Sequence, residues 1–220
     1  MSLDCTLELG NPERKVRETA MVEHYFSEKP SSIGKKEIIS DIIRGVPVEF
    51  IVEPGVFSKS RVDPGTKLLL ETMIIPEEGY VLDLGAGYGA IGITLAKINP
   101  KLIVYMVEIN RRAVKLCKLN AKRNGVENRV VILQGNLYDP LPKNLRFKTI
   151  VSNPPFSAGS EIIEKIVEGA YPRLERHGLL QLVACKGADM LKKRMREIFG
   201  NVKVLASKKG YKVLMSEKTI

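Results

Sequence analysis

Cysteine is scarce in this chain of 220 residues: Cys5, Cys117 and Cys185 are the three, and no two lie close together. An odd number at wide spacing argues against a disulfide framework or a zinc site and suits a reducing compartment. Histidine is scarcer still, with only His24 and His177. No apolar run approaches the roughly 20 residues that a membrane span requires, so no membrane partner is expected. Residues 1–20 carry Asp4, Glu8, Glu13, Arg14, Lys15 and Arg17 and lack the apolar stretch of a signal peptide. There is no internal repeat and no low-complexity tract. Acidic residues are in deficit, 25 Asp+Glu against 35 Lys+Arg, which leaves a formal charge of +10. Such an excess favours a polyanionic partner without requiring one. With 44% hydrophobic and 27% charged residues the chain can bury a proper core, and a soluble cytoplasmic protein is expected.

The length suits one domain. Residues 1–20 read as an N-terminal extension and 21–220 as the domain, divided into a cap segment (21–78) and a core (79–220). Within the cap, residues 35–44 put Ile38, Ile39, Ile42 and Ile43 on one helical face ahead of Gly45, which predicts a helix. Val46, Val48, Phe50 and Val52 alternate as in a strand, and Asp63-Pro64 predicts a capped helix start. From Gly79 onward short apolar segments alternate with amphipathic ones. Strands are expected at YVLDLG, LIVYMVE, RVVILQG, FKTIVSN and GLLQLVAC, and helices at 88–98, 110–124, 160–175 and 187–199. NVKVLAS and GYKVLMS complete the pattern as a hairpin across Lys208-Lys209. The expected fold is α/β and Rossmann-like: a mostly parallel, seven-stranded sheet with helices on both faces and a C-terminal antiparallel hairpin.

Asp83-Leu-Gly85-Ala-Gly87-Tyr-Gly89 falls at a strand-to-helix junction, where glycines permit a tight turn and close approach of backbone N–H groups to a ligand. Glu108 ends the next strand, where a carboxylate can accept from both hydroxyls of a ribose. Together they suggest an adenosine-containing cofactor, with nicotinamide dinucleotide and S-adenosylmethionine both open. Asn153-Pro154-Pro155-Phe156 separates the two. It follows a strand and so lies at the same sheet edge as the glycine loop. Two prolines remove backbone donors, the Asn oxygen adds an acceptor, and Phe156 offers a stacking face. Acceptors beside a flat ring suit a planar exocyclic amine that attacks a methyl group.

The blocks VLDLGAGYGAIG, VEIN, GNLYD and IVSNPPF resemble the class I S-adenosylmethionine-dependent methyltransferases that carry an NPP[FY] signature. Upstream, PGVFSKSRVDPGTKLLLE resembles the small-domain branch, which includes ribosomal RNA guanine-N2 methyltransferases and their single-domain archaeal relatives. The resemblance covers residues 21–216. It implies that Gly85, Ala86, Gly87 and Gly89 line the methionine and ribose of the cofactor, with Asp83 ordering the loop. It likewise places Glu108 on the ribose hydroxyls, Ile109 beside the adenine, Asn136 at its amino group and Leu137 on its ring. Phe57 and Ser58 would close over cofactor and target. Two positions depart from the pattern: many relatives have Asp at 136 and Cys or Ser at 86.

The implied reaction is methylation of an exocyclic amine, with guanine N2 in ribosomal or other structured RNA as target. Asn153, Pro154, Pro155 and Phe156 form its catalytic cluster, and no metal or strong general base is needed. Two alternatives stay open: methylation of a protein glutamine amide, and pyrimidine-C5 methylation with Cys185 as nucleophile. The lysines and arginines at 115, 118, 122 and 123, and at 192, 193, 194 and 196, are candidate phosphate contacts. A second subunit, as in a homodimer, would extend them.

Overall fold

The computed structural model describes residues 36–53, 61–154, 159–185 and 187–220. The first element among the described residues is a strand, β1 (Glu37–Ile43), where the sequence predicts a helix. β1 pairs antiparallel with β2 (Val46–Val52) across Arg44 and Gly45, whose φ values of +49° and +77° make a tight turn. The four isoleucines fit either periodicity, and strand pairing decides between them. Ile39 and Ile43 point inward with Val48 and Phe50, while Ile38 and Ile42 stay 57% and 65% exposed. β-branched residues fit that half-buried pleat better than a helix.

Helix α1 (Pro64–Thr72) begins as expected, with Asp63 accepting from the Thr66 amide and Pro64 at the first position. Arg44 fastens its other end, donating to the Leu70 and Glu71 carbonyls that the helix leaves unpaired. The remaining elements are β3 (Gly79–Leu84), α2 (Ala90–Ile98), β4 (Leu102–Glu108), α3 (Arg111–Arg123), β5 (Val130–Gln134) and β6 (Phe147–Ser152). After them come α4 (Ser160–Arg173), β7 (Leu174–Ala184), α5 (Ala188–Phe199), β8 (Lys203–Lys208) and β9 (Tyr211–Glu217). Seven strands form one sheet in the order β5-β4-β3-β6-β7-β9-β8. The five from β5 to β7 are parallel, and β9 runs antiparallel to both β7 and β8. This is the Rossmann-like sheet and C-terminal hairpin expected from the alternation of elements. The hairpin turns at Lys209-Gly210, one residue later than predicted, because glycine takes the second positive φ, +81°, at little steric cost.

Strand alternation separates two cores. Val81, Val104 and Val151 face α2, α3 and the β1–β2 hairpin, whereas Leu82, Leu84 and Ile150 face α4 and α5. The chain runs from β3 outward to β5, then returns to place β6 on the other flank of β3. The carboxyl ends of β3 and β6 therefore diverge into helices on opposite sides and open a crevice between them, where ligands of such sheets bind.

Candidate active site

Three strand ends meet at that crevice. From β3 the glycine loop turns back, with the Gly85 and Ala86 amides donating to the Val107 carbonyl at 2.9 and 3.0 Å. Gly85 has φ +71° and open space where a Cβ would stand, so its backbone is accessible to a ligand. Gly89 is required for another reason: at φ +98° a Cβ would come within 2.5 Å of Ile93. From β4, Glu108 is 2% exposed and accepts from the Gly87 amide through one oxygen and the Asn110 amide through the other, both at 2.8 Å. From β6, Ser152 donates to the Leu84 carbonyl at 2.7 Å, tying the strand ends, and Asn153 follows directly. The Asn153 amide donates to Asp63 Oδ2 and to Thr66 Oγ1, each at 2.9 Å. Thr66, Gly85, Ala86, Gly87, Tyr88 and Asn153 line the resulting cleft.

Asp83, Gly85, Ala86, Gly87, Gly89, Glu108, Asn153 and Pro154 all fall at this edge. Ile109 follows Glu108, and Asn136 and Leu137 occupy the turn after β5, beyond β4. Leu137 has φ +44°, an unfavourable conformation for a bulky side chain and a common mark of a functional turn. Phe57, Ser58, Pro155 and Phe156 lie outside the described residues. Cys117 is buried against Met106, and burial pushes its thiol up. Cys185 directly follows β7, at the carboxyl edge of the sheet.

Several participants carried no local signal. Asp63 reads as a helix cap, and nothing in the sequence says that it also meets Asn153. Asn120 accepts from the Ile51 amide at 2.7 Å and donates to the carbonyls of Ile51 and Tyr88, while Asn124 brackets Glu49 in the same way. These two side chains, one helical turn apart, replace a neighbouring strand along the edge of β2 and bind the hairpin to the glycine loop.

Buried carboxylates dominate the electrostatics of a basic chain. Asp63 and Glu108 are held above the ordinary carboxylate range chiefly by burial, against hydrogen bonds that lower them. Asp83 is pushed up to about 7 by burial, despite accepting from the Gly92 amide, and its Oδ1 has no partner among the described residues. A cationic ligand would offset that cost, and S-adenosylmethionine carries both an ammonium and a sulfonium. The open face of Gly85, the second lone pairs of Glu108 and the orphaned Asp83 oxygen all fit such a group. Because Asp83 binds its proton more tightly folded than unfolded, its contribution to stability is complete below pH 3.8 and is lost as pH rises to about 7. The ligand-free protein should lose up to about 1.4 kcal/mol of stability per pH unit across that window from this group alone. Asp83→Asn should flatten that slope in thermal melts recorded between pH 5 and pH 8. An unchanged slope would mean that Asp83 stays ionised throughout.

Among the described residues no cluster of His, Cys, Asp and Glu could hold a metal ion, and no helix is long and apolar enough to cross a membrane. A doubly wound sheet with a glycine loop, buried carboxylates behind it and an asparagine beside its switch point has the architecture of an enzyme that binds a nucleoside-containing cofactor. Residues 47–215 match the methyltransferase small domain, and the chain belongs to that family. The uncharacterized protein YbxB of Bacillus subtilis is 38% identical over 201 residues, 90% of this chain and 100% of that one. Ribosomal RNA small subunit methyltransferase C of Shewanella amazonensis is 38% identical over 170 residues, 74% of this chain and 48% of that one. Among solved structures, the T. thermophilus 16S rRNA N2 methyltransferase in complex with AdoMet and guanosine superposes with a TM-score of 0.74 at 32% identity, covering 86% of this chain and 52% of that one. The chain thus spans about half the length of the ribosomal RNA methyltransferases it matches. S-adenosylmethionine is the cofactor of this class.

Proposed function

We propose that this chain methylates the exocyclic N2 amine of a guanine in ribosomal RNA, in the cytoplasm. The observation that carries the reading is the convergence of the glycine loop, Glu108 and Asn153 on one crevice. In it, Gly85, Ala86, Gly87 and Gly89 hold the methionine and ribose portions of the cofactor, and Asp83 braces the loop. Glu108 accepts from the ribose hydroxyls, Ile109 and Leu137 pack on the adenine, and Asn136 meets its amino group. S-adenosylmethionine supplies a methyl group already activated by its sulfonium. Asn153 Oδ1 and the Pro154 carbonyl accept the two amine hydrogens, turning the nitrogen lone pair out of the purine plane and toward the methyl carbon. As the new N–C bond forms, the electron pair of the breaking C–S bond stays on sulfur. The nitrogen becomes acidic only then and releases its proton to water, so no strong base is needed.

The exposed Arg196 and half-buried Lys192 on α5 and the exposed Lys115, Lys118 and Lys122 on α3 are basic groups available to RNA phosphates, whereas Lys193 pairs with Glu197 and Arg194 with Glu168 and Glu197. The test is methyl transfer from labelled cofactor to unmodified ribosomal RNA, with nucleosides read by mass spectrometry. N2-methylguanosine is expected; label in a protein glutamine or at a pyrimidine C5 would overturn the assignment. Lys192→Glu with Arg196→Glu should weaken RNA binding and reduce its salt slope by roughly 0.7–0.9 for each phosphate no longer neutralised, leaving cofactor affinity unchanged.

A further inference from the structure

Asn153 can offer a target either its carbonyl oxygen or its amide hydrogens, and the two ends would select opposite substrates. An oxygen selects an N–H donor such as an exocyclic amine; an NH2 group selects a carbonyl or a ring nitrogen. We propose that Asp63 and Thr66 make this choice, acting as positioning residues that hold the Asn153 amide with its oxygen toward the target. The inference rests on the reading of Asn153 as the group that meets the amine.

The hydrogen-bond count supports it. Asn153 Nδ2 has two hydrogens and two acceptors at 2.9 Å, Asp63 Oδ2 and Thr66 Oγ1. Both hydrogens are engaged, and only Oδ1 is left to face the cleft. Rotating the amide by half a turn would set Oδ1 against a carboxylate oxygen, acceptor on acceptor, at a partly buried position. The orientation therefore follows from the chemistry of the partners. Asp63 is also more than a helix cap needs. Its Oδ2 already accepts from the Thr66 amide at 2.9 Å, which a serine would do as well, and burial makes its charge costly. Reaching Asn153 is what the longer, charged side chain adds.

The acceptor pair is itself fixed. Both residues sit at the start of α1, whose far end is held by Arg44 and whose Lys67 pairs with Asp41 of β1 at 2.6 Å. A Cβ at Gly65, between them, would strike the Tyr211 ring at 2.6 Å, so β9 closes the other side. The cap hairpin, α1 and Asn153 thus form one rigid connection from β1 to the target site.

A double-mutant cycle tests the proposal, read by single-turnover methyl transfer to unmodified total RNA and by calorimetry with S-adenosylhomocysteine. Asp63→Ser keeps a capping oxygen but falls short of the amide, and should slow methyl transfer by about 10–50-fold. Asp63→Asn still presents a carbonyl oxygen to the amide and should stay within about threefold of the parent; Thr66→Val, which removes one acceptor, should cost about 3–10-fold. S-adenosylhomocysteine affinity should hold in all three. In an Asn153→Ala background, Asp63→Ser and Thr66→Val should each cost less than about twofold more, because the group they position is gone. Parental rates for Asp63→Ser and Thr66→Val, or the same loss in both backgrounds, would overturn the positioning role while leaving that of Asn153 intact. A parental rate for Asn153→Ala would overturn both. Should Asp63→Ser fail to bind S-adenosylhomocysteine for want of folding, the Thr66→Val arm decides by the same comparison.

Discussion

Asn153→Ala should lower the single-turnover rate of methyl transfer by about 10²–10³-fold while S-adenosylhomocysteine affinity stays within about threefold. The asymmetry follows from where the side chain sits. Its hydrogens are taken by Asp63 and Thr66, and its remaining acceptor serves the target nitrogen, with no bond to the glycine loop or Glu108. Losing it removes an interaction that strengthens as the nitrogen turns toward the methyl group, so the loss falls on the chemical step. Alanine also leaves the partly buried Asp63 carboxylate with one donor fewer, and a small drop in melting temperature should accompany the loss of rate. Cys185→Ala should keep the parental rate. An inactive Cys185→Ala that folds and binds cofactor, beside an active Asn153→Ala, would replace amine chemistry with covalent pyrimidine chemistry.

Glu108→Gln should weaken S-adenosylhomocysteine binding about 100-fold, although it preserves the shape of the side chain. Each carboxylate oxygen accepts a backbone N–H, from Gly87 on one side and Asn110 on the other, both at 2.8 Å. An amide must point its NH2 at one of these donors. The clash leaves a buried donor unpaired, at about 1–3 kcal/mol, and removes an acceptor from the ribose. Because Gly87 belongs to the glycine loop and Asn110 caps α3, the substitution should also disturb the apo-protein and lower its melting temperature by several degrees. Calorimetry and thermal melts on the purified variant separate the two effects. Parental affinity would remove Glu108 from the cofactor site.

The carboxylates explain why this edge of the molecule is expensive to build. Asp83 is fully buried with an oxygen unpaired among the described residues, and Glu108 and Asp63 are held above their ordinary range. Local departures of this kind concentrate at sites shaped for a ligand. A cofactor that carries an ammonium and a sulfonium would relieve them, which links the stability cost to function.

Much of this was legible along the chain because the chemistry of a doubly wound sheet is colinear with it. Each βα unit ends a strand at the same edge, so a glycine loop after β3, a carboxylate ending β4 and an asparagine after β6 must share one crevice whatever the details of packing. The fold and the meeting of these residues at one crevice follow from that order, whereas the choice of cofactor came from the Asn153-Pro154-Pro155-Phe156 run and the family resemblance. The β1 strand was not legible, because Ile38, Ile39, Ile42 and Ile43 satisfy a helical and an alternating pattern equally, and only the partner strand β2 breaks the tie. The second role of Asp63 was hidden for a different reason. Its bond to Asn153 joins positions 90 apart, and the clamp of Asn120 on Ile51 joins positions 69 apart. Such contacts depend on how α1, α3 and the hairpin dock, and no local pattern encodes them. Ionisation is the extreme case: an aspartate reads the same in sequence at the surface or in the core, and burial, with the nearby Glu108 charge, raises Asp83 to about 7. The sequence by itself determined which groups reach the crevice; the tertiary structure decided which way Asn153 faces and what charge its neighbours bear, because both depend on desolvation and on partners distant in the chain.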